Sequence, residues 1–560
     1  MVVGKNRKIK LLFSNEGSCL ETGFSKIGRE MMYILHDMGC YDIVELASYV
    51  GEGDKRIEKF PWRIYPVVPP RGTSAYKQYE RQFKVAQFGA LRFNSVMVIE
   101  KVDFCVDIRD FWMLNHIFQS PYRNNFRFVI RPPVDGEPQD EEWIHCFKTA
   151  DVVFSHSRWG KKILESEGVK VDGILYGCIN SDNFKPLNKI EMRKKYKLQP
   201  DLKIILSVMR NQARKQFPEL LQAYALFKKK YPETFEHSVL LLHTSYPDTM
   251  GWDLPQLLRR YGLVSDVIFT NYCLECGKPS VTFLQKDYHR NNKNICFHCD
   301  KYSAVFPSTN RGVSEQELNE IYNLADLYVQ LAGGEGSGLP AIEAKATGLP
   351  VICCPYSAME DHVLDPGGIG LKIKGYYVDW PQMINRVLPD IEDLAAKFDW
   401  FFKLSKEERI AVGKPGIDFV KNNYNYKLIT QRFHEVLQNT PLLDRSQTWD
   451  APMLDLSAYK SVNEKDERPD IDNYSFVEYL YKRIFNRQPE KYGMMKEYLD
   501  ALNTGKMKRS QIALQLKHVA ELMCKLEMLR VGAIKSPSNI NKDLDDIAEI
   551  AQKHKVIKIL

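Results

Sequence analysis

The chain has 560 residues, 44% hydrophobic and 27% charged, with a net charge of +7 at neutral pH. That is apolar material for several cores, and a prior of roughly 150 residues per domain gives about three or four units. It excludes a disordered chain, and no apolar run approaches the roughly 18 residues of a membrane-spanning helix. Met1–Lys10 has no apolar signal-peptide core and residue 2 is Val, so the expected location is the cytoplasm.

Strand patterns in the first half lie at Lys8–Ser14, Asp42–Ala47, Phe104–Ile108, Phe126–Arg131, Asp151–Ser157 and Gly173–Tyr176. In the second half they lie at Lys203–Val208, Ser238–His243, Asp266–Tyr272, Asp326–Leu331 and Pro350–Cys354, with helical patterns such as Phe217–Lys230 and Ser314–Leu324 between them. Such alternation implies parallel sheets with helices on both faces. The series restarts after Phe184-Lys185-Pro186, which predicts consecutive α/β domains over 1–187 and 188–438, the latter closed by a helix at Phe419–Leu437. Residues 439–472, rich in Pro, Asp, Ser and Lys, read as a linker, and 473–560 as a basic helical accessory domain with a turn at Leu502–Gly505. From Tyr474 to Leu560 there are 16 Lys/Arg against 10 Asp/Glu, a net of +6. That excess suits either a peripheral contact with an anionic partner or a solvated helical face.

The most informative stretch is Leu331-Ala332-Gly333-Gly334-Glu335-Gly336-Ser337-Gly338-Leu339-Pro340-Ala341-Ile342-Glu343-Ala344. It follows a predicted strand and opens a predicted helix, with Pro340 at its start and Gly348 at its end. Gly336 and Gly338 let the backbone approach a ligand, and the helix start offers free N–H groups to an anion. Glu335 lies in the loop and Glu343 about one turn inside the helix. A sugar nucleotide needs such a set: one carboxylate for sugar hydroxyls, one for ribose hydroxyls, and N–H groups for the diphosphate. A second segment, Ile204–Arg210, ends a strand in Arg210 and is followed by Lys215 and a helix. Two cations there would stabilise the charge growing on a departing diphosphate.

These segments resemble glycosyltransferase family 4, whose signature sets two glutamates with seven residues between them in a Glu-Gly-x-Gly-Leu-Pro-x-x-Glu-Ala frame. The resemblance covers roughly 8–440 and is most specific between 203 and 355. It implies a GT-B fold, two Rossmann-like domains facing a cleft, and retaining transfer from a UDP- or GDP-sugar with no catalytic divalent metal. It implies that Glu335 contacts the donor sugar, that Arg210 and Lys215 hold the diphosphate, and that Glu343 takes the ribose. Gly336, Ser337 and Gly338 would bind the donor, joined by Gly23 in the loop Thr22-Gly23-Phe24-Ser25 after the first strand. Where many family members place a His on the sugar, this chain offers Asp110 or, alternatively, Asp135. Tyr176-Gly177-Cys178 stands where the family has His-Gly-Val.

Cys273-Leu274-Glu275-Cys276 and Cys296-Phe297-His298-Cys299 are two CxxC knuckles with 19 residues between them. That spacing predicts a structural zinc held by four thiolates in a zinc-ribbon-like insert over 271–308, with His289 or His298 as alternative ligands. The insert leaves the C-terminal end of a strand, where ligands bind in open α/β sheets, so it is expected at the cleft mouth. The other eight of the twelve cysteines are scattered, as reduced thiols are. The function expected is glycosyl transfer to a saccharide or glycan hydroxyl; the alternatives are transfer to a hydroxymethylated base in DNA, and an inactive nucleotide-sugar or glycan-binding protein.

Overall fold

The computed structural model describes residues 7–284, 293–308, 312–380, 382–449, 468–485, 494–517 and 519–520. No helix among them is long and apolar enough to cross a membrane. The chain divides into two compact units: Met1–Pro132, Glu141–Phe154 and His434–Leu560 form the first, and Pro133–Asp140 with Ser155–Phe433 form the second. The sequence suggested consecutive segments; the structure instead assigns Pro133–Asp140 to the second unit and the chain beyond Phe433 to the first.

In the first unit the strands are β1 (Ile9–Glu16), β2 (Tyr41–Gly51), β3 (Arg63–Val68), β4 (Phe104–Asp107), β5 (Arg127–Ile130) and β6 (Val152–Ser155). They stand in the order β3-β2-β1-β4-β5-β6. β1 pairs in parallel with β2, from Ile9 opposite Tyr41 to Glu16 opposite Ser48, and with β4 on its other side. Leu11, Leu12 and Phe13 are fully buried, as a central parallel strand covered on both faces requires. β3 was absent from the sequence reading because Pro66 interrupts it; as an edge strand it tolerates the missing N–H. Of the expected linker 439–472, the first part is docked on this unit. Trp449 is buried, donates its indole N–H to the Val102 carbonyl at 2.8 Å and stacks on Tyr122. Residues 450–467 lie outside the described ones. Helices Asn473–Phe485 and Met494–Asn503 build a small core of their own around Phe476, Leu480, Tyr481, Tyr498 and Leu516, so these aromatics pack rather than present a stacking surface.

The second unit carries the short β7 (Gly173–Ile174), then β8 (Lys203–Val208), β9 (Ser238–His243), β10 (Val267–Cys273), β11 (Pro279–Phe283), β12 (Asn294–Ile295), β13 (Tyr302–Val305), β14 (Leu327–Gln330), β15 (Val351–Cys353) and β16 (Gly368–Gly370). Its large sheet is ordered β12-β13-β10-β9-β8-β14-β15-β16, with β11 paired to β10. From β8 the strands run β9, β10 to one side and β14, β15, β16 to the other, so the strand order reverses between β8 and β14. Ligands of open α/β sheets bind outside the strand ends at that point. A hairpin of β17 (Ile373–Asp379) and β18 (Ile384–Pro389), also absent from the sequence reading, follows. The helix expected at Phe419–Leu437 is two helices, Lys406–Asn423 and Tyr426–Asn439. The break falls at Tyr424, whose carbonyl accepts from Ile179 N–H and whose buried hydroxyl donates to Asp365, so tertiary bonding overrides local helical pattern.

Candidate active site

Two loops meet at the reversal point of the second sheet. After β8 the chain passes Met209 and Arg210, makes a 3-10 turn over Ala213–Lys215, and reverses through Gln216 at φ +50° into helix Phe217–Lys230. After β14 it runs Leu331–Gly338 into helix Leu339–Ala346. The Gly333 N–H donates to the Arg214 carbonyl at 2.8 Å, tying the two loops together. Gly338 sits at φ +72°, where a Cβ would come within 3.0 Å of Met359 and His362; only glycine fits this cap. Gly348, at φ +83°, ends the helix as its sequence position suggested.

Glu335 is the centre of this arrangement. It is 7% exposed and its carboxylate is paired with Lys215 through one oxygen. Arg214 donates to the other oxygen at 3.1 Å and to the Gly334 carbonyl at 2.7 Å, while Gln330 adds a bond at 3.2 Å. The Glu335 N–H donates to Ser357 Oγ at 2.8 Å, which fixes the backbone beneath the carboxylate. Burial pushes the carboxyl upward, but Lys215 and Arg214 outweigh it and hold it at about 2. Burial, then the neighbouring Arg214, pulls Lys215 down to about 8 despite Glu335. Both groups are charged at neutral pH, in a setting where an unpaired charge would be prohibitive.

Arg210, expected beside Lys215, points elsewhere: its Nε donates to Asp248 at 2.9 Å, and its side chain is 44% exposed. Arg214, which the sequence did not single out although it adjoins Lys215, stands next to Glu335. Glu343 lies one turn into its helix and accepts from the buried Tyr322 hydroxyl at 2.7 Å. Ser337 Oγ packs against Gly177, where a Cβ would come within 1.8 Å, so a larger residue after Tyr176 would displace the Ser337 hydroxyl. Neutral His362, its imidazole lowered to about 4 mainly by burial, bonds the Ser337 carbonyl through Nε2 at 2.8 Å. Asp135 belongs to the same unit, pairs with the buried Arg386 at 3.0 Å, and its backbone carbonyl lies against Gly334. Asp110 and Gly23 belong to the first unit, following β4 and β1 at the point where its own strand order reverses. Asp110 precedes helix Phe111–Phe118 without capping it, and Gly23 opens helix Gly23–Asp37 behind the Thr22 cap.

The four cysteines converge. The sulfurs of Cys273, Cys276, Cys296 and Cys299 all lie within 4.8 Å of one another, with Cys273–Cys299 at 3.6 Å and Cys276–Cys296 at 3.7 Å. A tetrahedron with metal–sulfur bonds of about 2.3 Å has edges near 3.8 Å. The knuckles are built alike: Gly277 N–H donates to the Cys273 carbonyl and Asp300 N–H to the Cys296 carbonyl, each at 3.0 Å and each with positive φ. β10 forms their frame: β11 pairs along it from Ile268 to Tyr272, beginning where it still pairs with β9, and β13 pairs with its far end at Tyr272 and Cys273. His298 does not join the four cysteines, since its Nε2 bonds the Pro279 carbonyl at 3.0 Å; His289 lies outside the described residues.

Parallel α/β sheets flanked by helices in two units, with a glycine-rich carboxylate loop at the reversal point of the second, define a GT-B-like fold. Residues 311–410 match the family model of glycosyl transferases group 1, and residues 458–525 match that of a domain of unknown function (DUF4214). A 96-residue stretch is 32% identical to D-inositol 3-phosphate glycosyltransferase of Nocardia farcinica, covering 15% of this chain and 21% of that relative. The chain thus matches about a fifth of the length of this curated relative. Among solved structures it is similar to sucrose-phosphate synthase from Thermosynechococcus elongatus, at TM-score 0.56 and 17% identity over 77% of this chain and 99% of that one. It is also similar to Anabaena Alr3699/HepE in complex with UDP-glucose, at TM-score 0.52 and 12% identity over 77% and 100%. At these identities the likeness is one of fold.

Proposed function

We propose that the protein is a retaining glycosyltransferase that moves a sugar from a UDP- or GDP-sugar to a saccharide hydroxyl. The observation that carries this reading is the buried Lys215–Glu335–Arg214 ion cluster at the sheet's reversal point, beside a helix whose first turns carry Glu343. Glu335 would accept hydrogen bonds from donor-sugar hydroxyls, Lys215 and Arg210 would face the diphosphate, and the N–H groups of Gly336–Gly338 would complete its cradle. Glu343 would take the ribose hydroxyls. Asp110, on the first unit, is the residue proposed to reach the donor sugar from that side, and Gly23 the one to approach the diphosphate. The acceptor oxygen bonds to the anomeric carbon as its bond to the diphosphate breaks, and the acceptor proton passes to the leaving phosphate oxygen. Lys215 neutralises the growing charge, so no divalent metal is required for the step. UDP-glucose bound to a protein of the same fold supports the donor class.

The four-cysteine cluster is proposed to hold a structural zinc, which suits a reducing cytoplasm where thiolates persist. The C-terminal helical module is proposed as an accessory with a peripheral contact to an anionic partner. The reading is tested by incubating the protein with UDP- and GDP-sugars, following nucleoside diphosphate release, and identifying products on an acceptor panel by mass spectrometry. Donor binding without release or transfer would leave a binding protein. Label appearing only in hydroxymethylated DNA, with a salt slope of about 0.9 log units per phosphate contacted, would move the acceptor to nucleic acid.

Two outcomes are expected from this site. Glu343→Gln should raise donor KM about tenfold with kcat within a few-fold, because a lost ground-state hydrogen bond of about 1.4 kcal/mol is uniform binding. A fall in kcat with KM unchanged would remove Glu343 from the ribose. Secondly, kcat/KM for donor should fall as pH rises past about 8, where Lys215 in the free enzyme loses its proton. In Lys215→Arg that alkaline limb should move beyond pH 9 whatever the absolute rate, since a guanidinium stays charged. An identical limb in both proteins would assign it to another group.

A further inference from the structure

The β17–β18 hairpin has two unlike faces. Residues directly opposite each other in an antiparallel pair share a face, so Tyr377 with Arg386 and Asp379 with Ile384 lie on one side. That side holds the donor loop. Arg386 is 2% exposed and pairs with Asp135 and Asp379, and its Cβ and the Tyr377 hydroxyl abut Gly333; along the edge of β18, Val387 N–H donates to the Gly333 carbonyl. The opposite side carries Tyr376 and Val378, with Trp380 and Met383 where the hairpin turns. They are 59%, 55%, 81% and 62% exposed. A half-buried hairpin ordinarily sends its polar residues outward; here Val387, opposite Tyr376, is buried, and apart from Lys374 the solvated residues of β17 on this side are apolar.

We propose that this face is a carbohydrate-holding site that grips the distal sugar units of an extended, neutral oligosaccharide acceptor. The inference rests on the glycosyltransferase reading above and adds to it a place for the acceptor's far end. Flat rings offer stacking surfaces to the C–H faces of pyranoses. Four strand positions, from Tyr376 to Trp380, span about 13 Å, the length of a short oligosaccharide. Asn385 lies across from Val378 on the same face and sets an amide among the rings for sugar hydroxyls. The ledge is also anchored to the reacting end. Tyr376 meets Tyr356 edge-on at 5.9 Å, the Tyr356 hydroxyl donates to the Asn385 carbonyl at 2.7 Å, and the adjoining Ser357 holds Glu335 N–H.

Other occupants fit less well. Lys374 is the exposed charge of β17 on this face among the described residues, too little to draw an anionic membrane. Scaled by their exposure, two rings of about 150–250 Å² each and two smaller aliphatic side chains offer roughly 500 Å². That falls short of the roughly 800 Å² per partner of a standard protein interface.

The test uses the full chain and linear neutral hexasaccharides of glucose, mannose and galactose, read by saturation-transfer NMR. Transfer to the ring protons of at least one hexasaccharide is expected, with affinity weakened at least tenfold in Tyr376→Ala/Trp380→Ala. UDP affinity and melting temperature are recorded on the same samples. In transfer assays the double variant should lose its preference for hexasaccharide over monosaccharide acceptors. Equal binding by wild type and variant, or no binding of any hexasaccharide, would overturn the proposal. So would phosphatidylcholine-vesicle pelleting or a concentration-dependent dimer that Trp380→Ala abolishes, because either gives the face another occupant. Failure to bind or cleave UDP- and GDP-sugars would instead sink the glycosyltransferase reading, and the saccharide NMR would still report on the hairpin independently.

Discussion

Lys215→Ala is expected to lower turnover of the nucleotide-sugar donor by about 10²–10³, the scale seen when one preorganised stabiliser of developing charge is removed. The argument begins with burial. Lys215 is 9% exposed and paired with a carboxylate held at about 2, so its charge is kept in place before substrate arrives. Charge that need not reorganise acts fully on a departing diphosphate, and in a water-poor setting each interaction counts for more. The variant should still fold, because Glu335 keeps Arg214 and Gln330 and is not left as an isolated buried ion. Turnover and melting temperature therefore have to be read together. A fall in turnover with the transition little changed is the expected pattern. Turnover within tenfold of wild type would mean that another cation carries the diphosphate, and Arg214→Ala and Arg210→Ala would then identify which. Arg210 starts from an exposed pair with Asp248, so its own variant reports whether that side chain changes partner when the donor binds.

Purified protein is expected to carry about one zinc per chain, and Cys276→Ser or Cys299→Ser to lose it. The expected damage is local. β10 enters the parallel sheet through Val267, Ile268 and Phe269, which pair with Leu240, Leu241 and Leu242 of β9. Of the insert, β13 pairs only with the far end of β10, Tyr272 and Cys273, while β11 pairs along it from Ile268 to Tyr272. The insert is held in two ways: Val281 of β11 joins the unit's main core and Phe306 packs on Phe269, whereas the knuckles have only the small cluster Cys273, Cys296 and Ala304. Metal–thiolate bonding is therefore expected to hold the two knuckles, as in small zinc modules that unfold without metal, while β11 stays on the sheet. Limited proteolysis should therefore cut the metal-free variants within 271–308 while both sheets persist by circular dichroism. Brief EDTA treatment should leave donor cleavage intact, and strict dependence on added Mg²⁺ would contradict the proposed charge stabilisation. Loss of both sheets together with the metal would show that the insert belongs to the unit's core.

The features legible in the sequence are those decided within about ten residues. β8 and β9 fall where their β-branched and leucine runs placed them, Lys203–Val208 and Ser238–His243. The Gly338–Pro340 start and Gly348 stop of one helix, and the paired CxxC knuckles, were equally readable. In each case backbone sterics or the reach of a thiolate is satisfied by near neighbours. Misses arose where a distant partner decided. Pro66 reads as a strand breaker until its strand proves to be the sheet's edge, and Tyr424 reads as helical until Ile179 and Asp365 claim its carbonyl and hydroxyl. Trp449 sits in a stretch that reads as linker until Val102 and Tyr122 bury it.

The same division runs through the candidate site. Sequence alone determined that a carboxylate loop precedes a helix and that cations follow an earlier strand, because glycine, proline and charge spacing express those properties locally. Tertiary structure decided that Arg214 rather than Arg210 stands beside Glu335, although the two loops are 120 residues apart in the chain. It also placed Asp135 in the unit that contains Glu335, and turned the β17–β18 hairpin so that one face holds the loop and the other leaves Tyr376 and Val378 to solvent. Which ions pair depends on which strands become neighbours and how far each turn rotates its side chains. Those quantities follow from packing the whole sheet, and local propensity does not contain them.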